Sequence, residues 1–233
     1  MNTTVGSCRE LEFAFAAEAA QHARAALELN SFGEAECLEL GDARAVYSGA
    51  WSPVHGVFGL GLDGPVEARD LQELERFFQK KERPPAYWIC PETDPSLLEL
   101  LGRDFEPKRK VPVHGAPLEK LGGLPAASGS NQPEHKSWCL AFTQATDPGA
   151  KETGLFALTK LHQKETRLYL AGNGTSASYT FFSRGIALVP SPGAHSLLAL
   201  QASDAATWKA GFFATGAASP LPLLYERILY ERL

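Results

Sequence analysis

The sequence has no run of about 18 consecutive apolar residues, so no membrane-spanning helix is expected. It has no surplus of positive charge. The formal net charge is −5, which argues against a nucleic-acid-binding surface. Cysteine is sparse: Cys8, Cys37, Cys90 and Cys139 stand far apart, with none of the paired spacings that hold zinc. They are expected to be reduced and mostly buried, in a cytoplasmic protein. His162 and His195 are too far apart to form a helical metal pair, and no metal site is expected. A basic leader is also missing. Glu10, Glu12 and Glu18 stand among the first apolar residues, which argues against a signal peptide.

What remains is the composition of an ordinary globular chain. Its 233 residues are 44% apolar and 21% charged, enough for one large or two small domains with a true core. Residues 8–29 are Ala-rich, with Leu11, Phe15, Ala19, Ala26 and Leu29 near one face, and the spacing predicts a long helix ended by Asn30 and Gly33. Two short strands flank the Gly41-Asp42 turn, and a glycine-interrupted strand follows from Val54 to Leu62. A helix is expected from about Val66 to Lys81, burying Leu71, Leu74, Phe77 and Phe78, with Pro84-Pro85 as its stop. Ala86 to Cys90 reads as a buried strand. Thr93 or Asp94 caps a short helix that Pro95 opens and Gly102 ends. Residues 105–114 make a basic, Pro-interrupted strand suited to an edge.

Residues 115–137 are rich in Gly, Pro, Ser and Ala, with no periodic apolar face, and read as a linker. The domains expected are therefore 1–114 and 138–233. The second repeats the grammar of the first. Helices are expected over 138–145 and 152–162. A hairpin follows from Thr166 to Phe182 around Gly172-Asn-Gly. Arg184-Gly185 turns the chain into Ile186 to Val189, and Phe212 to Thr215 is a further strand. The closing run, Leu223 to Leu233, fits a strand by its Tyr and Ile residues and a helix by its Glu and Arg spacing. It is assigned as a strand. The fold class is mixed α/β with a largely antiparallel sheet.

The stretch from Gly185 to Gly211 carries the most chemical information. A short apolar strand meets Pro190, Pro192 and Gly193. Ser196 then caps a helix whose Leu197, Leu200, Asp204, Ala205 and Trp208 keep helical spacing up to Gly211. A strand, a glycine turn and a helix present free backbone N–H groups at a helix N-terminus, which attracts phosphate. Many such joints bind nothing, and this loop carries no Arg or Lys.

One family shares these features. The run Ser52-Pro-Val-His-Gly-Val-Phe-Gly-Leu-Gly-Leu-Asp-Gly-Pro-Val resembles a group of bacterial two-half proteins in the GNAT superfamily of acyl-CoA-dependent N-acetyltransferases. So do Asp70 to Phe78 and Cys90-Pro-Glu-Thr-Asp-Pro-Ser-Leu-Leu-Glu-Leu-Leu. The resemblance covers 8–110 by its letters and 138–233 by its layout. It implies two tandem GNAT-like halves, the first degenerate and the second holding acetyl-CoA as co-substrate for transfer to a small amine. It places the pantetheine arm beside Leu188 and Val189, and the pyrophosphate on Gly193, Ala194, His195 and Ser196. The basic residues that lead into the family's turn are missing here, and so is room for its helix after the fifth strand. A ligand- or partner-binding protein that has lost the chemistry is therefore the alternative.

For the chemical step, Glu152 and Glu165 are candidate general bases, and both also fit a solvated helix face or strand end. Tyr225 and Tyr230 are the only phenols near the place of the family's proton donor, and both also fit packed strand positions. His195, as an imidazolium, can face phosphate, or it is an ordinary loop residue. Ser52 and His55 are close in sequence but lack a third orienting group, so no hydrolase triad is expected. The Gly59-Leu-Gly-Leu-Asp-Gly run only loosely matches a dinucleotide turn.

Overall fold

The computed structural model describes residues 7–30, 34–50, 52–116, 129–130, 133–147, 150–189, 211–215 (by their backbone) and 221–233. In chain order the elements are α1 (Cys8–Leu29), β1 (Glu36–Leu40), β2 (Ala43–Tyr47), β3 (His55–Phe58), α2 (Ala68–Gln79), β4 (Ala86–Ile89), α3 (Pro95–Leu101) and β5 (Phe105–Ala116). There follow β6 (Gly129–Ser130), α4 (His135–Thr146), α5 (Lys151–His162), β7 (Thr166–Ala171), β8 (Ala177–Ser183), β9 (Ile186–Val189), β10 (Gly211–Thr215) and β11 (Leu223–Arg232). Two compact units form, and their boundaries do not follow the chain end to end. One contains Ser7–Val111 together with Tyr225–Leu233; the other is Pro112–Leu224.

Local signals set the helices of the first unit. Ser7 caps α1 in a capping box with Glu10, and Asn30 closes it in the left-handed conformation. Asp94 caps α3 by accepting from the Ser96 N–H at 3.0 Å, and Pro95 fills its first turn. The strands β1-β2-β3 run antiparallel, β3 and β4 parallel, and β11 pairs antiparallel with β4, Ile228 opposite Ile89. Side chains alternate across this sheet. Tyr47, Val57, Tyr87 and Ile89 meet Leu74, Phe77 and Phe78 of α2 and Leu97 and Leu101 of α3. Val46, Phe58 and Trp88 meet Ala16, Ala19 and Ala23 of α1 on the other face. The small alanines let α1 lie close to the sheet. β3 is shorter than the expected strand because Gly59 and Gly61 take positive φ, +77° and +79°, and leave the ladder.

In the second unit the order is β5-β10-β9-β8-β7-β6, antiparallel except for β9 and β10. The β8–β9 turn places Arg184 and Gly185 at φ +50° and +78°, the pattern of a tight hairpin. Helices α4 and α5 pack on β7 and β8 through Trp138, Ala157 and Tyr179. The Trp138 indole N–H donates to the Ser178 carbonyl at 2.8 Å.

Three expectations meet the described residues. Gly211, read as the stop of a helix, is the first residue of β10, because its parallel partner Ile186 draws it into the ladder. The stretch read as a linker is regular in places: Gly115 and Ala116 close β5, Gly129 and Ser130 form β6, and α4 begins at His135. Strand pairing there is set by the partner, not by apolar periodicity. Leu223 to Arg232 is a strand, as assigned.

Candidate functional site

Among the described residues each unit contains one parallel strand pair, β3–β4 and β9–β10, where the chain leaves one strand and returns beside it. Such a pair marks the place where an open sheet can receive a ligand. The two pairs differ in chemistry.

In the first unit the crossover runs from β3 through Gly59–Val66 into α2. A cavity of about 220 Å³ opens beside it, lined in part by Gly59, Leu60, Gly61, Asp63, Gly64 and Asp70. Three backbone donors of the joint are used internally. The Leu62 N–H donates to the Gly59 carbonyl at 3.4 Å, the Val66 N–H to Ser96 Oγ at 2.8 Å and the Glu67 N–H to Asp70 Oδ2 at 3.0 Å. The nearby charges Asp63, Glu67 and Asp70 are negative. Asp63 pairs with Arg9. Arg69 Nε lies 3.0 Å from Glu67 Oε2 and 3.9 Å from Asp70 Oδ1, so the cations at this joint are engaged by its own carboxylates.

Behind the joint lies a buried polar cluster. Glu12 of α1 is 1% exposed, and Arg227 of β11 is 5% exposed. Arg227 Nε lies 2.8 Å from Glu12 Oε1, and Nη2 donates to Oε2 at 2.9 Å. The Tyr225 hydroxyl donates to Oε1 at 2.9 Å. The guanidinium stacks on Phe15 at 4.1 Å and on Trp88 at 4.4 Å. Burial pushes the Glu12 carboxyl up, against the pull of Arg227 and Tyr225. Burial, and then the Glu12 carboxylate, push the Tyr225 phenol up. Cys8, Cys90, Phe13 and Leu62 pack beside Tyr225.

In the second unit β9 and β10 pair in register, Ile186 with Gly211 through Val189 with Ala214. Leu188 and Val189 are buried, and Leu188 also pairs with Phe181 of β8. Gly193, Ala194, His195 and Ser196 lie outside the described residues, as does the helix expected after them. Glu152 sits half-buried in the first turn of α5. Glu165 holds a positive φ, +56°, just before β7, and its carbonyl accepts from the Phe182 N–H at 2.9 Å. Tyr225 belongs to the first unit, and Glu152 and β9 to the second. Sequence reasoning did not single out Lys160. It is 1% exposed, donates to Gln163 Oε1 at 2.7 Å, and lies over the Tyr179 ring at 4.7 Å and the Phe156 ring at 5.0 Å. Glu12, Arg227 and the Cys8–Cys90 pair were missed as well. The available signal was Glu12 itself, a carboxylate flanked by Leu11 and Phe13 in an otherwise apolar stretch.

Neither the family models nor the curated proteins compared with the chain give a match. Solved structures do. A GCN5-related N-acetyltransferase from Kribbella flavida superposes with a TM-score of 0.60 at 12% identity, over 91% of this chain and 95% of that one. A conserved protein of unknown function from Bacteroides thetaiotaomicron VPI-5482 gives 0.56 at 10% identity, over 97% and 96%. A GCN5-related N-acetyltransferase from Sphaerobacter thermophilus gives 0.51 at 13% identity, over 97% and 93%. The chain therefore has the fold of the GCN5-related N-acetyltransferases, as its sequence resemblance implied. At these identities the likeness is one of fold.

Proposed function

We propose that the chain is a cytoplasmic N-acetyltransferase that moves the acetyl group of acetyl-CoA to a small amine by direct attack. The observation that carries this reading is the parallel β9–β10 pair, set in a fold shared nearly end to end with an N-acetyltransferase. The backbone groups of Leu188 and Val189 that face β10 are used by the ladder. A pantetheine arm that pairs as an added strand would therefore enter where the ladder ends, at Val189. The pyrophosphate would rest on the N–H groups of Gly193 to Ser196. The first unit's joint, whose cations Arg9 and Arg69 are engaged by its own carboxylates, supports reading that half as the degenerate one.

The chemistry needs a neutral amine and a protonated leaving thiolate. Glu152, in the second unit with β9, would accept the amine's proton directly or through water. Tyr225 would have to exchange its bond to Glu12 before it could serve the thiolate, and Tyr225→Phe reads that role directly. One observation favours a second reading, a binding protein without turnover: Pro190 to Ser196 contains no Arg or Lys to neutralise phosphate. Calorimetry with acetyl-CoA, joined to a thiol-release assay over a panel of amines, separates the two. Binding with thiol release supports the transferase. Binding without release under every amine supports the second reading. No binding overturns the site.

A further inference from the structure

Cys8 opens the first turn of α1, and Cys90 follows the last residue of β4. They are remote in sequence, yet their thiols share one small cluster with Phe13, Leu62 and Tyr225. Cys8 packs against the cluster that contains the Cys90 sulfur. The Thr93 hydroxyl points at the same sulfur from 3.8 Å, and the Glu92 backbone N–H faces it as well. The Glu92 carboxylate in turn accepts from the Cys8 N–H at 3.2 Å and the Arg9 N–H at 2.9 Å, clamping the start of α1 over the end of β4. Two thiols packed in one cluster, with the Glu92 carboxylate clamping the start of α1 over the end of β4, are placed as partners for a disulfide.

We propose that Cys8 and Cys90 form a peroxide-responsive thiol pair, independent of acyl transfer, that closes to a disulfide and staples α1 to the end of β4. Cys90 is the attacking sulfur, because the donors around it favour its thiolate. Its electron pair forms a sulfur–oxygen bond with hydrogen peroxide. The oxygen–oxygen bond breaks, and the departing hydroxide leaves as water with the Cys90 proton. Cys8 then attacks the sulfenic sulfur. The sulfur–sulfur bond forms, the sulfur–oxygen bond breaks, and a second water leaves with the Cys8 proton. Two thiols and one peroxide yield one disulfide and two waters. All four cysteines are free in the reduced protein. Cys37 and Cys139 belong to other clusters, so they do not compete.

The test uses the full chain and hydrogen peroxide itself. The expected result is loss of two titratable thiols and 2 Da of mass. Peptide mapping should join Cys8 to Cys90, a thiol reductant should reverse the change, and the unfolding midpoint should rise by about 5 °C or more. In Cys8→Ser the reaction should stop at a Cys90 sulfenic acid that dimedone captures. A wild-type map showing disulfides between chains, a pair involving Cys37 or Cys139, or sulfinic acid at Cys90 without a disulfide overturns the proposal. Because this map needs no variant, the outcome does not depend on whether Cys8→Ser folds.

Discussion

Replacing Arg227 by Met tests what holds the closing strand in the first unit. Met keeps much of the length and apolar contact of Arg but removes the charge from beside Glu12. The guanidinium makes two contacts to the carboxylate, at 2.8 and 2.9 Å, and Glu12 is 1% exposed. Breaking a buried pair from one side leaves an uncompensated charge, which costs about 3–5 kcal/mol. For a chain of this size that lowers the unfolding midpoint by roughly 6–20 °C. The loss must depend on pH. Burial already raises the Glu12 carboxyl, with Arg227 and Tyr225 pulling against it. A carboxyl raised by folding contributes stability below about pH 4, its unfolded range, and loses that contribution as pH climbs through the folded value. Without Arg227 the folded value moves higher still. Thermal unfolding should therefore show the full loss at pH 8 and a smaller one at pH 5, where Glu12 can take up a proton. Glu12→Gln combined with Arg227→Met should recover part of the loss at pH 8. A deficit under about 1 kcal/mol at pH 8, or one equal at both pH values, refutes the account.

Other expectations follow from single positions. Gly193→Val should weaken CoA binding about ten-fold or more, about 1.4 kcal/mol by calorimetry, through lost backbone freedom and crowding of the phosphate. His195→Ala should weaken it less, since the backbone donors of the turn remain. Gly56 holds φ +132°, and a Cβ there would meet the Ala86 carbonyl oxygen at 2.9 Å. Gly56→Ala should therefore destabilise the first unit by about 1–3 kcal/mol or more in urea titration, and by more than Gly64→Ala, which meets a similarly strained φ of +133° but open space. Limited proteolysis with subtilisin should cut first within 115–137, on the composition of that stretch; an earlier cut within 66–110 counts against the two-half organisation.

Much of the fold was legible because its punctuation is local. Ser7 with Glu10, Asp94 with Pro95, and the Gly41, Gly174 and Gly185 turns each fix an element end through nearest neighbours. The parallel pair at β9–β10 was legible in outline, since an apolar strand, a breaker and a returning apolar strand leave few alternatives. Gly211 starts β10, and a glycine before an aromatic pair signals a helix stop and a strand start equally well. The candidate site was less legible. Leu188 and Val189 could be placed as strand residues, but not their full pairing with β10. The Glu12–Arg227 pair spans 215 positions, and the only trace in the letters is a charge on an apolar helix face. The same holds for Cys8 and Cys90, whose contact depends on where α1 starts relative to the end of β4.

Because Tyr225–Leu233 complete the first unit's sheet, that unit cannot finish folding when its own N-terminal segment leaves the ribosome. β4 must wait for a partner strand that is translated after the whole second unit. At about 5–20 residues per second the delay is on the order of ten seconds. Through that interval the edge of β4, with Trp88 and Ile89, stays open to wrong partners. Glu12 likewise waits for Arg227, and a carboxylate that is still hydrated resists premature closure of α1 onto the sheet. The late strand thus ties the first unit's final structure to the end of translation, and a nascent chain halted before residue 225 would be a natural substrate for chaperones.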